Sequence, residues 1–269
     1  MNKISNYDLY NQGMAKSMED KMFWLYQMEE LIKTKRIKRV VDYGCADGTF
    51  LKNVQLFCRQ KQIKYPQLVG IDIDDTMLEK AKKKCSMGIF IKEDSLKEMR
   101  LKPSRWDVLN LSSVIHEVYS YCTSDQVNQF WDFVWSGFSY VCIRDMMIDN
   151  QTERTYFKDD ISELLPDSYQ MQIEDFVDHW GSISSMKNLV HFLLKYRYKE
   201  NWDREINENY LPITVEELLA KIPDNYEILY QEHYTLPFLK EKVFQDFSLT
   251  LDAPTHFKLI LRKKGGKSY

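Results

Sequence analysis

The chain has 269 residues, 44% hydrophobic and 29% charged, with a formal net charge of −3. This suits a folded domain with one sizeable core and an elaboration on it, and excludes disordered and fibrous classes. The charge provides no positive field for phosphate backbones, and no run approaches the roughly 18 apolar residues of a membrane span.

The polar start MNKISNYDLYNQ has no signal-peptide core, so a cytoplasmic protein is expected. From Ser17 to about Thr34, Met22, Leu25, Met28 and Ile32 recur at helical spacing, and Ser17 with Asp20 has the spacing of a capping box. One amphipathic leading helix is predicted there. Val40 and Val41 then form a strand ending at Asp42, followed by a glycine-containing turn and a helix over Phe50 to Gln60. A second strand, Leu68 to Ile73, precedes a helix over Thr76 to Cys85 that Asp74 or Asp75 can cap. Further strands are predicted over Gly88 to Ile91, Asp107 to Leu111 and Tyr140 to Ile143. A helix with Val127, Phe130, Trp131 and Val134 on one face lies between the last two. Strands alternating with helices imply crossover connections and a parallel sheet covered on both faces.

After Asp145 the alternation breaks. Residues from Met146 to Leu211 read as helices and loops, with a stripe of Met186, Leu189, Val190 and Leu193 running into the charged stretch KYRYKENWDRE. This segment is read as an inserted helical cap. Thr214 and Glu217 then cap a helix, and two strand-like runs, Tyr226 to Leu236 and His256 to Arg262, close the chain around a short helical segment. The resulting division is a leading helix over 1–36, a core over 37–145, a cap over 146–211 and the end of the core over 212–269.

Chemistry concentrates in VVDYGCADGTFL, where Asp42, Gly44 and Gly48 fall as D-x-G-x-x-x-G between a strand and a helix. A ligand crossing the carboxyl end of a parallel strand needs backbone free of side chains, which glycine provides. Only nine glycines occur in the chain, so two within one turn mark it out. Asp72, in VGIDID, ends the second strand, where a carboxylate can accept two hydrogen bonds from a ribose diol. Asp94, in IKEDS, follows the third strand, where it can accept from an adenine amine while the Ser95 backbone reads the ring.

In these elements, VVDYGCADG, Asp72, Asp94 and WDVLNLSSVIHE, the chain resembles the class I S-adenosylmethionine-dependent methyltransferases, the seven-stranded Rossmann-like family. The similarity covers roughly Arg39 to Asp145, with the closing strand-like runs consistent with the family's last two strands. The resemblance implies a mostly parallel seven-stranded α/β sheet with a helical cap after the fifth strand. It also implies S-adenosyl-L-methionine as cofactor. Gly44, Ala46 and Gly48 would line its methionine and ribose part, and Asp42 would orient the loop or the amino group through water. Asp72 would hold the ribose hydroxyls, Ile73 and Met77 would sandwich the adenine, Asp94 and Ser95 would read its edge, and Ser112 would face the methionine end. The segment around Met14 to Leu25 would be a lid, with Tyr7 and Tyr10 closing it.

A nicotinamide dehydrogenase would need glycines where Ala46 and Thr49 stand, and no G-K-[ST] follows the turn as a P-loop requires. His116, in SSVIHEV, is the candidate proton acceptor, with a purely structural histidine as the alternative. Glu117 reads most simply as a solvated or capping carboxylate. Arg144 and Asp145 read as a pair closing a strand end, or Arg144 as a fork for an anionic acceptor. His179, Trp180, His191, Tyr196, Arg197 and Tyr198 can shape an acceptor pocket in the cap, and His233 and Tyr234 can reach the same cleft. Five scattered cysteines without a C-x-x-C pair point to reduced thiols and no zinc site, and Cys45 reads as a small filler.

The expected acceptor is a small molecule offering oxygen or nitrogen. RNA or protein, contacted through KYRYKENWDR and the basic tail, and a noncatalytic cofactor-binding module stay as alternatives. The sequence leaves the oligomeric state open.

Overall fold

The computed structural model describes residues 17–93, 107–159, 161–162 and 165–265. Strands β1 (Arg39–Tyr43), β2 (Gln67–Asp72), β3 (Ile89–Lys92), β4 (Val108–Ser112), β5 (Tyr140–Met146), β6 (Tyr226–Tyr234) and β7 (His256–Lys263) form one seven-stranded sheet in the order β3-β2-β1-β4-β5-β7-β6. β1 to β5 pair in parallel, whereas β7 runs antiparallel to both β5 and β6. The sheet is therefore mixed, which qualifies the expectation of a parallel one. The cause is the last connection. Tyr234 at the end of β6 pairs with His256 at the start of β7, so the chain turns back at one end of the sheet rather than crossing over it.

Side chains alternate across the strands and feed two apolar layers. Val41, Val69, Ile71, Leu109 and Val141 face one side with Phe130, Trp131 and Val134 of the helix Ser124–Trp135. Val40, Leu68, Val108 and Cys142 face the other, where Leu51, Val54 and Phe57 of Thr49–Gln60 cover them. Helix starts follow local chemistry: the Asp74 carboxylate accepts from the amides of Thr76 and Met77 at the head of Asp75–Lys84, and Thr214 with Glu217 forms a capping box before Val215–Ala220.

The leading segment departs from expectation. It is three short helices, α1 (Met18–Lys21), α2 (Phe23–Gln27) and α3 (Glu29–Lys33), and the Ser17 side chain makes no cap. The Asp20 carboxylate is engaged elsewhere, by Arg144, Lys258 and the Tyr234 hydroxyl. Trp24 and Leu25 are fully buried, so packing on the sheet sets the path of the segment.

Helices after β5, chiefly Gln170–Trp180 and Met186–Lys195, build a third apolar cluster. The helix Pro237–Phe247 joins it through Leu239, Val243 and Phe247. The division at residue 212 is thus crossed by packing. Because β6 and β7 turn back at the carboxyl end of β5, where Met146 pairs with His256, their connecting helix lies with the helical layer at that end.

Candidate active site

The strand order places β1 between β2 and β4, so the chain proceeds outward on opposite sides of that junction. Ligands of open α/β sheets bind outside the carboxyl ends of the strands at such a switch point. A cavity of about 740 Å³ opens there, walled by Gly44 and Ala46 after β1, Asp72 at the end of β2, Ser112 to Val114 after β4, and the helical layer beyond.

The loops are shaped for close approach. Gly44 has φ +74°, and a Cβ there would meet Val114 Cγ2 at 2.7 Å. Ala46 (φ 44°) and Ser113 (φ 56°) also adopt left-handed backbone, a strained state for non-glycine residues that clusters at functional sites. Gly48 serves packing instead: its Cβ would meet Ala81 Cβ at 2.9 Å. Asp72 Oδ2 accepts from the Ala46 amide at 2.7 Å and Oδ1 from the Asp74 amide at 2.9 Å, tying the two loops together. Burial raises its pKa, partly offset by these amides and that of Ile73. Ser112 Oγ is buried without a hydrogen-bond partner.

Of the residues expected at the cofactor, Gly44, Ala46, Asp72 and Ser112 share this wall with His116. Asp42 is not in the wall. It is 3% exposed and accepts from Asn110 Nδ2 at 2.8 Å, while Asn110 Oδ1 accepts from Trp24 Nε1 at 2.8 Å. Burial pushes the Asp42 carboxyl up to about 7. Ile73 is exposed and Met77 partly so, both outside the wall. Asp94, Ser95, Tyr7, Tyr10 and Met14 lie outside the described residues.

His116 is buried, and its Nδ1 lies 2.8 Å from Asp145 Oδ1. Asp145 also accepts from the amides of Val114, Ile115 and Met146. A carboxylate so surrounded by donors holds the imidazole with its proton on Nδ1, leaving Nε2 as the acceptor when the ring is neutral. Burial disfavours the His116 cation, but Asp145, Glu117 and Glu208 more than reverse this and lift the pKa above its ordinary 6.5. Asp145 is held below 3.8, because its partner histidine and amide donors outweigh burial.

Arg144 and Asp145 do not pair with each other. Successive strand residues point to opposite faces, so Arg144 turns to Asp20 (2.8 Å) and Ser113 (3.0 Å) while Asp145 turns to His116. Glu117 is not merely solvated: it lines the cavity and binds Arg204 at 3.1 Å. Arg204 also bonds Glu208 at 2.7 Å. His116, Glu117 and Glu208 bring potential metal-ligand atoms within 4.8 Å of one another, and the positive charge among them is that of Arg204.

KYRYKENWDRE turns inward. Lys195, Tyr196, Trp202, Arg204 and Glu205 are buried, and Arg197, Tyr198 and Lys199 line the cavity. Among the cap residues expected at an acceptor pocket, Tyr196 bonds Asp246, Trp180 donates to the Ile206 carbonyl and His191 accepts from the Tyr210 amide, while Arg197 and Tyr198 line the wall. His233 contacts the Met147 carbonyl and Tyr234 the Asp20 carboxylate, both off the wall. Cys45 is a buried filler against Gly70.

Lys21, Glu205, Glu208, Tyr210 and His256 are wall residues that the sequence reading missed. Only the density of charge in KYRYKENWDREINE signalled any of them. Burial, with the nearby Arg144, lowers Lys21 to about 8, against the pull of Asp145, Asp42 and Glu117. Among the described residues no helix is long and apolar enough to cross a membrane.

No family model matches the chain, and no curated protein matches it significantly. Solved structures do. The plantazolicin methyltransferase BamL, determined with a triazolic desmethylPZN analog and SAH, is 12% identical, with a TM-score of 0.52 over 96% of this chain and 88% of its own. The plantazolicin methyltransferase BpumL, with the same analog and SAH, is 15% identical at a TM-score of 0.50, covering 97% and 89%. A Bacillus halodurans C-125 protein described as a methyltransferase is 9% identical at a TM-score of 0.50, covering 89% and 98%. With its sheet order, switch-point cavity and these similarities, the chain has the seven-stranded α/β fold of S-adenosylmethionine-dependent methyltransferases.

Proposed function

We propose that this protein is an S-adenosylmethionine-dependent methyltransferase acting on an oxygen or nitrogen of a small acceptor enclosed between the sheet and the helical layer. The observation that carries the proposal is the shared cavity. The carboxyl ends of β1, β2 and β4, the helical layer and His116, held from behind by Asp145, all open into it.

The wall fits the cofactor in kind. Gly44 offers bare backbone where a side chain would collide, and Ser112 Oγ is a buried polar atom in need of a partner. Asp72 would hold the ribose hydroxyls through lone pairs not spent on the Ala46 and Asp74 amides. Ile73 and Met77, just beyond it, would give apolar surface to the adenine, and Asp42, buried near the end of β1, would orient the loop or the amino group through water. When bound, S-adenosylmethionine supplies an electrophilic methyl group. The protein has to align acceptor and donor, exclude water and accept a proton. Alignment alone can be worth about 7–11 kcal/mol in favourable intramolecular analogues. His116 Nε2 takes the acceptor proton, and Asp145 is the positioning residue that fixes the tautomer.

A small acceptor is favoured over RNA or protein because the basic stretch that would contact a polymer is folded into the wall. The BamL and BpumL structures, each in complex with a triazolic desmethylPZN analog and SAH, offer a parallel. The test is calorimetric titration of S-adenosylhomocysteine into the wild type and Asp72→Ala. Losing charge-assisted hydrogen bonds of about 1.5–3 kcal/mol should weaken binding about 10- to 150-fold. Equal affinities would remove the site, and finding no S-adenosylhomocysteine released with any acceptor in a small-molecule panel would favour a noncatalytic module.

A further inference from the structure

Among the described residues, Arg197 is a cavity cation whose surroundings differ from those of its paired neighbours. Arg144 is paired with Asp20, Arg204 with Glu117 and Glu208, and Lys242 with Asp246; Lys199 donates to the Ser168 carbonyl at 3.1 Å. Arg197 lines the same cavity with no hydrogen bond or ion pair among the described residues, and its Nε is buried with no acceptor among them. Its guanidinium is steered only by rings, with Phe238 at 5.1 Å and Tyr198 at 5.8 Å from its central carbon.

A buried donor without an acceptor is costly in a folded protein, and a planar fork between aromatic faces is set up to receive a planar or tetrahedral oxyanion. The carboxylates nearest His116, Glu117 and Glu208, are both bound by Arg204 rather than by Arg197. We propose that Arg197 is the acceptor-recognition residue and that the acceptor carries an anionic group, a carboxylate or a phosphate, which Arg197 binds while the nucleophilic atom is presented at His116. This rests on the methyltransferase reading above, since it assigns the acceptor's share of that cavity. It also explains how a chain of net negative charge can select an anionic substrate: the attraction is local and desolvated.

The test uses the full chain saturated with S-adenosylhomocysteine, with benzoate and phenyl phosphate as probes. The side-chain Nε–H resonance of Arg197, assigned by its disappearance in Arg197→Gln, is followed by NMR during each titration. Binding of at least one probe should move that resonance, and Arg197→Gln should weaken the probe at least tenfold while leaving S-adenosylhomocysteine affinity within about twofold. A response to benzoate alone identifies a carboxylate, and one to phenyl phosphate alone a phosphate. No binding of either probe, or equal binding by Arg197→Gln, overturns the proposal. Failure of S-adenosylhomocysteine to bind the wild type is a different result, which removes the methyltransferase reading instead; Arg197 is then tested by the same titrations on the unliganded protein.

Discussion

Replacing Asp145 by asparagine perturbs the centre of the site with little change of shape. The carboxylate is 1% exposed and accepts from the Val114, Ile115 and Met146 amides at 3.0, 2.7 and 2.8 Å, and from His116 Nδ1 at 2.8 Å. An amide keeps one acceptor oxygen but turns an NH2 group towards N–H donors. Removing one partner of a buried charged pair costs about 3–5 kcal/mol, a large share of a typical domain's stability. Urea unfolding of Asp145→Asn at pH 7 should show a loss of that size. The imidazole should respond as well: burial still disfavours the His116 cation, and its strongest counter-charge is gone, so its pKa should fall below the raised wild-type value. An NMR titration of the His116 ring protons reads this directly. Two linkages follow. The raised His116 pKa gives stability that is complete below pH 6.5 and lost as pH rises through the folded value, whereas the lowered Asp145 pKa gives stability present above pH 3.8 and lost as pH falls through its folded value. Asp145→Asn should flatten both. An unchanged His116 titration, or a stability loss under about 1 kcal/mol, would refute the assigned pair.

With a panel-identified acceptor, kcat/KM should rise with pH through the elevated pKa of His116, because only the neutral ring accepts a proton. His116→Gln should lower kcat about 10²- to 10⁴-fold and abolish that dependence, with S-adenosylhomocysteine affinity unchanged by calorimetry; an unaltered profile would assign the titration to another group. Gly44→Ala combines a left-handed backbone with a Cβ 2.7 Å from Val114, so thermal melts should show a loss of about 1–3 kcal/mol together with weaker S-adenosylhomocysteine binding. A neutral Gly44→Ala would mean that the turn relaxes freely. Gly48→Ala should destabilise through Ala81, with its effect read in melts of the unliganded protein.

Much of the cofactor side was legible because it rests on short-range rules. Alternating apolar runs located the strands, and the glycine turn and Asp72 fell at strand ends where their local sequence placed them. The helical layer was less readable. Its wall is assembled from distant segments, with Arg204 meeting Glu117 and Glu208 meeting Tyr121, each across 87 positions, and the helix Pro237–Phe247 arriving from between the last two strands. Periodicity identifies a buried stripe but not its partner, so KYRYKENWDRE could be read as a surface for a polymer, whereas Lys195 and Arg204 turn inward to groups outside or at the end of the stretch: Arg204 to Glu117 and Glu208, Lys195 to the carbonyls of Glu205 and Glu208. The leading segment shows the same limit: spacing fits one helix, yet the chain forms three short ones, with Trp24 buried and Asp20 bound by Arg144. The antiparallel β7 has no signature of its own, since strand direction depends on where the preceding connection turns.

The most direct measurement is a crystal structure with S-adenosylhomocysteine bound. The expected result is the ribose hydroxyls on Asp72, the sulfur in the shared cavity beside Ser112, and open space from the sulfur to both His116 and Arg197. A nucleoside seated away from Asp72 and Gly44, or a sulfur separated from His116 by packed protein, would contradict a common chamber for donor and acceptor.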